Sequence, residues 1–327
     1  MMRLLLSLAV TTLFVLAVLS APARAQNADF FAALVHIEAA VPDSARTAGS
    51  LGTMRSGSGV VIDGDGLVLT IGYLILEASS VKITTGDRRV AATVLAYDDA
   101  TGFGLLRAQA PLDIVPLELG SSASLERRDR VLVASYSGAR DAVRAIVVSR
   151  HPFAGSWEYI LERAIFTAPP HREYGGAALI GPDGKLLGIG SLMVGHALED
   201  GPPMPGNMFV PIDLLKPVLA DLIADGRAAR PPTPWLGMFT NDRRGHVLVV
   251  QVADESPAAR AGIVAGDVVI GVAGHAVTTM RDLFRAVWAL GPAGVEVPLA
   301  VVHGGEISEV TVHSADRYDY LRLGESY

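Results

Sequence analysis

Short apolar segments interrupted by glycine and aspartate constrain the fold of this chain more than any other feature. In the clearest case, residues 59–76, the runs "GVVI" and "LVLTI" lie on either side of an Asp-Gly turn. Runs rich in β-branched residues around such a turn predict a β-hairpin. Similar segments continue from residue 30 to about residue 211 with few helical stretches. This region is therefore predicted to form an all-β barrel or sandwich.

The pattern changes after the β-rich region. The segment "PIDLLKPVLADLIADGR" carries apolar residues at helical spacing and ends near Gly226, which fits a helix C-cap. Residues 228–234, "AARPPTP", contain three prolines in four positions, which cannot continue a helix and favour an extended spacer. The remainder alternates strands with short helices. It predicts a small α+β module, separated from the β-rich region by the proline-rich linker.

Composition excludes several classes of protein. Half of the residues are hydrophobic and 19% are charged, which argues against wholesale disorder. The formal charge of −7 supplies no basic face for nucleic acid. The chain has no cysteine, so disulfides, thiol catalysis and Cys-ligated zinc are excluded. It also has neither an H-E-x-x-H metal motif nor a G-x-x-x-x-G-K-[ST] phosphate loop, and we expect no metal or other cofactor.

The N-terminal residues predict export. Arg3 precedes an apolar run over residues 4–19, and Ala23-Arg24-Ala25 fits the small-x-small rule for signal cleavage. A membrane anchor is the alternative, but the run is shorter than the roughly 20 apolar residues that a spanning helix needs. We therefore expect a cleavable signal peptide over residues 1–25 and, in a bacterium, a periplasmic protein. No later segment of the sequence is long and apolar enough to span a membrane.

Four motifs carry a family resemblance: "SGVVID" at residues 58–63, the strand "GKLLGIG", "NMFVPID" before the helix, and "SPAARAGIVAGDVVIGVAG" at residues 256–274. Their order resembles the HtrA (DegP-like) family of exported chymotrypsin-fold serine proteases with a PDZ domain. The resemblance implies a mainly β fold. It comprises a chymotrypsin/trypsin-like double β-barrel over residues 26–227, the linker over 228–234, an α+β PDZ domain over 235–316 and a tail over 317–327.

The positions that resemble the family's catalytic triad carry unsuitable residues. A serine nucleophile needs a histidine to accept its proton and an aspartate to orient that histidine. The family's histidine segment corresponds to "LTIGYLIL", which puts Tyr73 in the histidine's place. Its aspartate segment corresponds to "DDATGFGLL", with Gly102 in the aspartate's place. The serine position falls on Gly175 or, with one residue inserted, on Tyr174. The family glycine that shapes the oxyanion hole becomes Glu173, whose negative charge would oppose a developing oxyanion.

No replacement constellation is visible in the sequence. His171 precedes the loop, but no serine and carboxylate converge on it, and we interpret it as a solvated side chain. Asp98 and Asp99 lie near the aspartate position, where a β-turn explains the pair equally well.

The C-terminal module retains features of peptide recognition. PDZ domains add an extended peptide to a sheet edge and hold its terminal carboxylate with backbone N–H groups. The family's carboxylate loop resembles Y-[IL]-G-[IL], which corresponds here to "WLGM". The resemblance implies a peptide site formed by the loop, the adjoining strand and one face of the helix "TTMRDLFRAVWAL"; its residues are Trp235, Leu236, Gly237, Met238, Phe239, Leu283 and Val287. The same residues also fit simple strand packing, with the groove closed or used internally.

Assembly is suggested by the resemblance alone. HtrA proteases form trimers through N-terminal aromatic and apolar contacts, and Phe30 and Phe31 could serve that purpose or simply cap the barrel. The expected partners are polypeptide segments or C-termini, with a homotrimer or a hetero-oligomer with an active relative as candidate assemblies.

Three functions are consistent with the sequence. The first is an exported pseudoprotease that binds exposed or C-terminal peptide segments through its PDZ domain, as a chaperone-like binder or an adaptor in protein quality control. The second is an active serine endopeptidase with displaced catalytic residues. The third is a structural oligomer scaffold. The substituted triad beside a retained peptide module favours the first.

Overall fold

The computed structural model describes residues 30–323. The predicted signal peptide, residues 1–25, lies outside the described residues. No helix in the described part of the chain is both long and apolar enough to cross a bilayer.

Six antiparallel strands close the first barrel, in the order β1-β2-β3-β6-β5-β4. They are β1 Leu34–Ala40, β2 Met54–Val61, β3 Leu67–Ile71, β4 Ser80–Thr85, β5 Arg88–Tyr97 and β6 Phe103–Ala108, with the short helix α1, Ala48–Leu51, between β1 and β2. The β2–β3 turn forms locally, because Asp63 Oδ1 accepts hydrogen bonds from the N–H groups of Asp65 (3.0 Å) and Leu67 (2.7 Å).

Another six strands close the second barrel, in the order β10-β11-β12-β9-β8-β7. They are β7 Arg130–Ala134, β8 Val143–Gly155, β9 Tyr159–Ala168, β10 Ala178–Ile180, β11 Leu186–Val194 and β12 Gly206–Pro211. The long β8–β9 hairpin extends past the barrel to a tip at residues 155–159, where Gly155 pairs with Tyr159. This tip becomes important at the functional site.

Helix α2, Leu219–Asp225, follows the second barrel and ends at Gly226 in the left-handed conformation, with φ of 74°. The linker that follows is tied to the first barrel by Arg230, which forms ion pairs with Asp98 and Asp99. The Asp98–Asp99 pair, for which the sequence leaves a β-turn as an equally good explanation, thus anchors the start of the proline-rich segment.

The C-terminal module is one sheet with two helices. Its elements are β13 Met238–Arg243, β14 His246–Val252, α3 Pro257–Arg260, β15 Val268–Val272, β16 His275–Ala276, α4 Met280–Trp288, β17 Glu296–His303 and β18 Glu306–His313. The sheet order is β13-β14-β15-β17-β18, with β16 paired to β15. Side chains cap both helices at their N-termini, since Ser256 accepts from Ala259 N and Thr279 accepts from Asp282 N.

Hydrophobic cores follow this division, with one exception. Buried residues of both barrels form one large cluster, and those of the C-terminal module form a second. A further cluster lies within the second barrel alone. The second cluster also contains Ile160, which belongs to strand β9 of the second barrel. The prediction of a mainly β chain with a double barrel followed by an α+β domain is confirmed.

The tail, which has no interpretable pattern in the sequence, joins the two parts. Helix α5, Arg317–Tyr320, lies between the first barrel and the C-terminal module. The Tyr318 hydroxyl donates to the carbonyl of Tyr97 in the barrel. The Tyr320 hydroxyl donates to the carbonyl of Asp254 in the C-terminal module, at 3.0 Å.

Candidate functional site

The three positions assigned to the triad meet where the two barrels face each other. Tyr73 lies in a 3₁₀ turn after β3, and the N–H of the preceding Gly72 donates to the carbonyl of Gly102 at 2.7 Å. A Cβ on Gly175, from the second barrel, would lie 2.8 Å from the Tyr73 hydroxyl oxygen. The fold therefore assembles these positions at one place, although sequence places them over a span of about a hundred residues.

Tyr73 is a hydrogen-bond donor in this setting. Its hydroxyl donates to the carbonyl oxygen of Ser191 at 3.0 Å. Burial raises the pKa of Tyr73 well above the ordinary value of a phenol, and neighbouring Tyr174 raises it further. The phenol stays protonated at neutral pH and cannot accept a proton as a histidine would.

Gly102 adopts a backbone conformation that disfavours aspartate. Its φ is +79°, in the left-handed region, where side chains are strained by roughly 1–2 kcal/mol. Its N–H donates to the carbonyl of Asp98 at 2.7 Å, which closes a tight turn. The carboxylate of Asp98 itself is buried and bound by Thr101 and Arg230, so it does not serve as a substitute at this site.

The loop that precedes β10 places an anion beside the same cleft. Glu173 accepts hydrogen bonds from the hydroxyls of Ser135 (2.6 Å) and Ser137 (2.7 Å). Burial would raise the pKa of Glu173, but these hydrogen bonds outweigh it and hold the pKa below its usual range. The Glu173 N–H, at the position of the family's oxyanion-hole glycine, donates to His171 Nδ1 at 3.0 Å. Both the charge and this N–H are thus unsuited to stabilise an oxyanion.

His171 differs from its sequence interpretation. It is 3% exposed rather than solvated, because Asn207 Oδ1 accepts from its backbone N–H at 2.6 Å and fixes the segment inside the barrel. Its Nε2 is buried without a hydrogen-bond partner among the described residues.

A Ser–His contact that sequence reasoning missed lies at the edge of this cleft. The cleft is a depression of about 290 Å³ lined by Ser56, Tyr73, Glu173 and their neighbours. His36 Nε2 lies 2.7 Å from Ser56 Oγ, and the His36 ring stacks on Tyr136. The two residues come from adjacent strands, β1 and β2, so their contact depends on a register that the sequence does not specify.

A second site lies in the C-terminal module. The N–H groups of Leu236, Gly237 and Met238, here termed the carboxylate cradle, all donate to the side-chain carboxylate of Glu158, at 2.8, 2.6 and 3.1 Å. Gly237 has φ of +81°, and a Cβ there would lie 2.2 Å from the Cβ of Ser256. Only glycine therefore permits this loop conformation.

The other expected peptide-binding residues surround the cradle but are not open to solvent. Trp235, Leu236, Met238, Leu283 and Val287 are all buried, and Phe239 is partly buried. Ile160 of the β8–β9 hairpin packs in the same cluster. The resemblance implied a groove open to peptides, with a groove closed or used internally as the alternative. The structure brings them together but fills the groove with the hairpin, because the second barrel docks against it.

Glu158 is a residue of this site that the sequence did not indicate. It belongs to the other domain, and its contacts with the cradle span some eighty residues of chain. One local signal exists: Glu158 has a positive φ of 62°, which is unusual for glutamate. Among residues 30–323, no three potential metal-ligating side chains are grouped together.

Comparison with known proteins agrees with this architecture. A family of trypsin-like peptidase domains matches residues 57–189, and the PDZ domain family matches residues 234–313. A probable periplasmic serine endoprotease DegP-like from Pseudomonas fulva is 27% identical over 289 residues, covering 82% of this chain and 58% of the relative. The periplasmic serine endoprotease DegP of Escherichia coli K12 is 27% identical over 266 residues, covering 77% of this chain and 55% of the relative. The chain thus spans just over half the length of these relatives.

Solved structures show the same fold. The serine endoprotease from Yersinia pestis superposes with a TM-score of 0.51 and 21% identity, over 88% of this chain and 95% of that structure. The HtrA-type protease AlgW with a decapeptide superposes with a TM-score of 0.51 and 18% identity, over 88% of this chain and 96% of that structure. The chain thus carries a trypsin-like peptidase domain followed by a PDZ domain, the arrangement of the HtrA-type and DegP proteins to which it is similar.

Proposed function

We propose that this chain is a periplasmic HtrA-family pseudoprotease that binds exposed or C-terminal peptide segments through its PDZ domain. The observation that carries this proposal is the carboxylate cradle, where three backbone N–H groups converge on one carboxylate. A terminal carboxylate of a peptide carries the same chemical group, and PDZ domains bind peptides in this way. The relatives named above are periplasmic, which supports the localisation.

Three features of the barrel support the loss of proteolysis. Tyr73 stays protonated, Gly102 lies in a conformation that disfavours aspartate, and Gly175 has no side chain. Removing the serine or the histidine of a triad lowers kcat by about a million-fold, and here neither is present at the assigned position. An oxyanion hole alone would leave some residual catalysis, and the negative charge of Glu173 reduces that contribution as well.

The biological role that follows is holding rather than cutting polypeptides. The chain would hold bound segments as a chaperone-like binder, or deliver them to an active relative as an adaptor. It would do so as a homotrimer or within a hetero-oligomer. Casein incubated with the purified chain is expected to stay intact. Cleavage that scales with the concentration of this protein after removal of contaminating proteases would overturn the proposal.

An active endopeptidase with displaced residues is the second candidate, and the His36–Ser56 contact is the observation that favours it. A serine within hydrogen-bond distance of a histidine is the minimal arrangement for an activated nucleophile. Under this alternative, a fluorophosphonate probe would label the chain at Ser56, and Ser56→Ala would abolish labelling. Under our proposal, neither the chain nor the Ser56→Ala variant is labelled. Ser124, an exposed serine away from the cleft, supplies a matched Ser124→Ala control.

A structural scaffold is the third candidate, and peptide binding separates it from our proposal. The probe is a fluorescein-labelled pool of decapeptides that end in valine, leucine or phenylalanine with a free carboxylate. The same pool with amidated C-termini serves as the control. Our proposal expects binding of the free-carboxylate pool only. Equal binding of both pools would overturn carboxylate recognition.

A further inference from the structure

The tip of the β8–β9 hairpin has the geometry of a bound peptide. Its backbone lies beside strand β13, and the N–H of Thr240 donates to the carbonyl of Ser156 at 3.1 Å. Peptides that add to a sheet edge make main-chain hydrogen bonds of this kind. Two residues further along the tip, the Glu158 carboxylate lies in the cradle. The tip thus supplies both a strand-like carbonyl and a carboxylate to the PDZ domain.

Side chains of the hairpin complete the resemblance to a ligand. Ile160 and the partly buried Ala154 pack against the core of the PDZ domain, in the cluster that contains Leu283 and Val287 of α4. Helix α4 and strand β13 form the two walls of a PDZ peptide groove. The hairpin fills the apolar part of the groove that a C-terminal hydrophobic side chain would otherwise occupy.

The backbone of Glu158 is held in a strained conformation for this contact. Its φ of 62° lies in the left-handed region, at the last position of a three-residue hairpin loop where glycine is preferred. Residues held in such regions carry strain and cluster at ligand clamps and switch regions. The turn itself would favour glycine at position 158. The contact of the Glu158 carboxylate with the cradle therefore explains why glutamate is found there.

We propose that residues 155–159 are an intramolecular ligand of the PDZ domain, so that peptide C-termini and the second barrel compete for one carboxylate cradle. The peptide groove of the proposed function is thus closed in the docked conformation. A polypeptide with a free C-terminus would have to displace the hairpin, which would release the PDZ domain from the barrel. This inference rests on the proposed peptide-binding function and adds its regulation.

The contacts that accompany docking are suited to reversible release. Arg285 of α4 pairs with Glu162 of β9 at 2.6 Å, and both side chains are at least half exposed. Arg46 pairs with Glu255 at 2.6 Å, where Glu255 is 73% exposed. Exposed ion pairs of this type add little to stability. Between the second barrel and the PDZ domain, the specific docking interaction therefore lies at the cradle and the apolar contacts of the hairpin. The tail helix α5 adds the hydrogen bonds of Tyr318 and Tyr320 described above.

Peptide binding at pH 7.5 tests the competition. The free-carboxylate decapeptide pool described above is titrated into the full chain, Glu158→Gln and Glu158→Gly, with binding followed by fluorescence anisotropy. Glu158→Gly removes the carboxylate but relieves the strain of the turn, so it is the variant safest for folding. Glu118→Gln is the matched control, since Glu118 is exposed and pairs with Lys185 away from the PDZ domain.

Removing the internal ligand in Glu158→Gly is expected to tighten binding of the pool by about tenfold or more, because the apparent dissociation constant falls as the competent fraction rises. Glu158→Gln is uncharged like the protonated carboxyl, so it is expected to stay docked and to bind the pool no more tightly than the parent chain does. The Glu118→Gln control should bind as the parent chain does. Equal affinity of the parent chain and Glu158→Gly would overturn the internal-ligand proposal while leaving peptide binding intact.

A distance measurement separates failure of this inference from failure of the proposed function. The chain has no cysteine, so spin labels attach only at Glu126→Cys on the second barrel and Glu306→Cys on the PDZ domain, both exposed positions. The label-to-label distance distribution is expected to broaden in the Glu158→Gly background. A broad distribution without peptide binding would sustain the internal ligand and refute the proposed function. An unchanged, narrow distribution would refute the internal ligand.

Discussion

The hydroxyl oxygen of Tyr73 lies 2.8 Å from the point where a side chain on Gly175 would begin. In the family resemblance, Tyr73 stands at the position of a histidine and Gly175 at the position of a serine. Here the Tyr73 hydroxyl occupies the space that a serine side chain at position 175 would need. Because Tyr73 also donates to the carbonyl of Ser191, its hydroxyl is fixed in that space. A serine restored at position 175 would therefore clash with the Tyr73 side chain.

Gly175→Ser is expected to leave the chain inactive against casein. Its Cβ would displace the Tyr73 hydroxyl, and overpacking of this kind costs about 1–3 kcal/mol of unfolding free energy. No general base would be present to activate the new hydroxyl. Equilibrium urea unfolding and a casein cleavage assay measure both outcomes. Cleavage by Gly175→Ser alone would show that the assigned positions are wrong.

Tyr73→Phe tests the same contact from the other side. Loss of its hydrogen bond to Ser191 should cost about 0.5–1.5 kcal/mol of unfolding free energy. In the Gly175→Ser background the cost should be smaller, because removing the hydroxyl also relieves the clash. A double-mutant cycle would measure this coupling, expected at about 0.5–3 kcal/mol for residues in contact. Strict additivity would indicate that the two side chains do not compete for space.

Docking of the hairpin should weaken as pH rises. Burial raises the pKa of Glu158 to about 7, against the opposing effects of the cradle N–H groups and of Arg317. A solvated glutamate has a pKa of about 4.3, so the docked state binds the proton more tightly than the released state. Protonation therefore favours docking below pH 7, and this contribution is lost as pH rises through 7.

Affinity of the parent chain for the decapeptide pool is expected to rise by about tenfold between pH 5.5 and pH 8. The other charged or titratable groups near Glu158 line two cavities with it. Arg317, Arg46, Asp254 and Tyr320 line the cavity of about 330 Å³, and Asp99 and Tyr159 line a smaller one. Arginine, aspartate and tyrosine ordinarily change charge outside this pH range. Glu158→Gln should bind the pool with the same affinity across the range. A pH dependence that persists in this variant would assign the titration to another group.

Arg230 is expected to be important for stability. Its guanidinium pairs with Asp98, whose side chain is fully buried, and with Asp99 at 3.2 Å. Arg230→Met would leave a buried carboxylate unpaired, at a cost of about 3 kcal/mol in urea unfolding. Arg89→Met supplies the control, since Arg89 is exposed on the first barrel. Combining Arg230→Met with Asp98→Asn should recover part of the loss. Equal effects of Arg230→Met and Arg89→Met would refute this role.

Local features of the fold could be predicted because short-range interactions determine them. The Asp63 turn and the Gly226 helix end each involve residues within a few positions of one another. Their chemistry is visible in the sequence. The resemblance then placed Tyr73, Gly102 and Gly175 in relation to each other, and the structure brings these three together.

Long-range contacts could not be predicted in the same way. The pairing of His36 with Ser56 depends on strand register, and the role of Tyr318 depends on where the tail lies after the PDZ domain has docked. His171 was interpreted as solvated because nothing nearby in sequence indicated that Asn207 would bury its segment.

The sequence by itself determined a mainly β region, a proline-rich linker and a small α+β module. The family resemblance added the double barrel, the PDZ carboxylate loop with its glycine, and the assignment of Tyr73, Gly102 and Gly175 to the triad positions. Periodicity, turn chemistry and backbone restrictions involve residues that are close together in the chain, so the sequence shows them directly. Only the tertiary structure decided that the cradle is occupied, because Glu158 reaches it when one domain packs against another. That approach depends on the packing of whole surfaces, which no short stretch of sequence encodes.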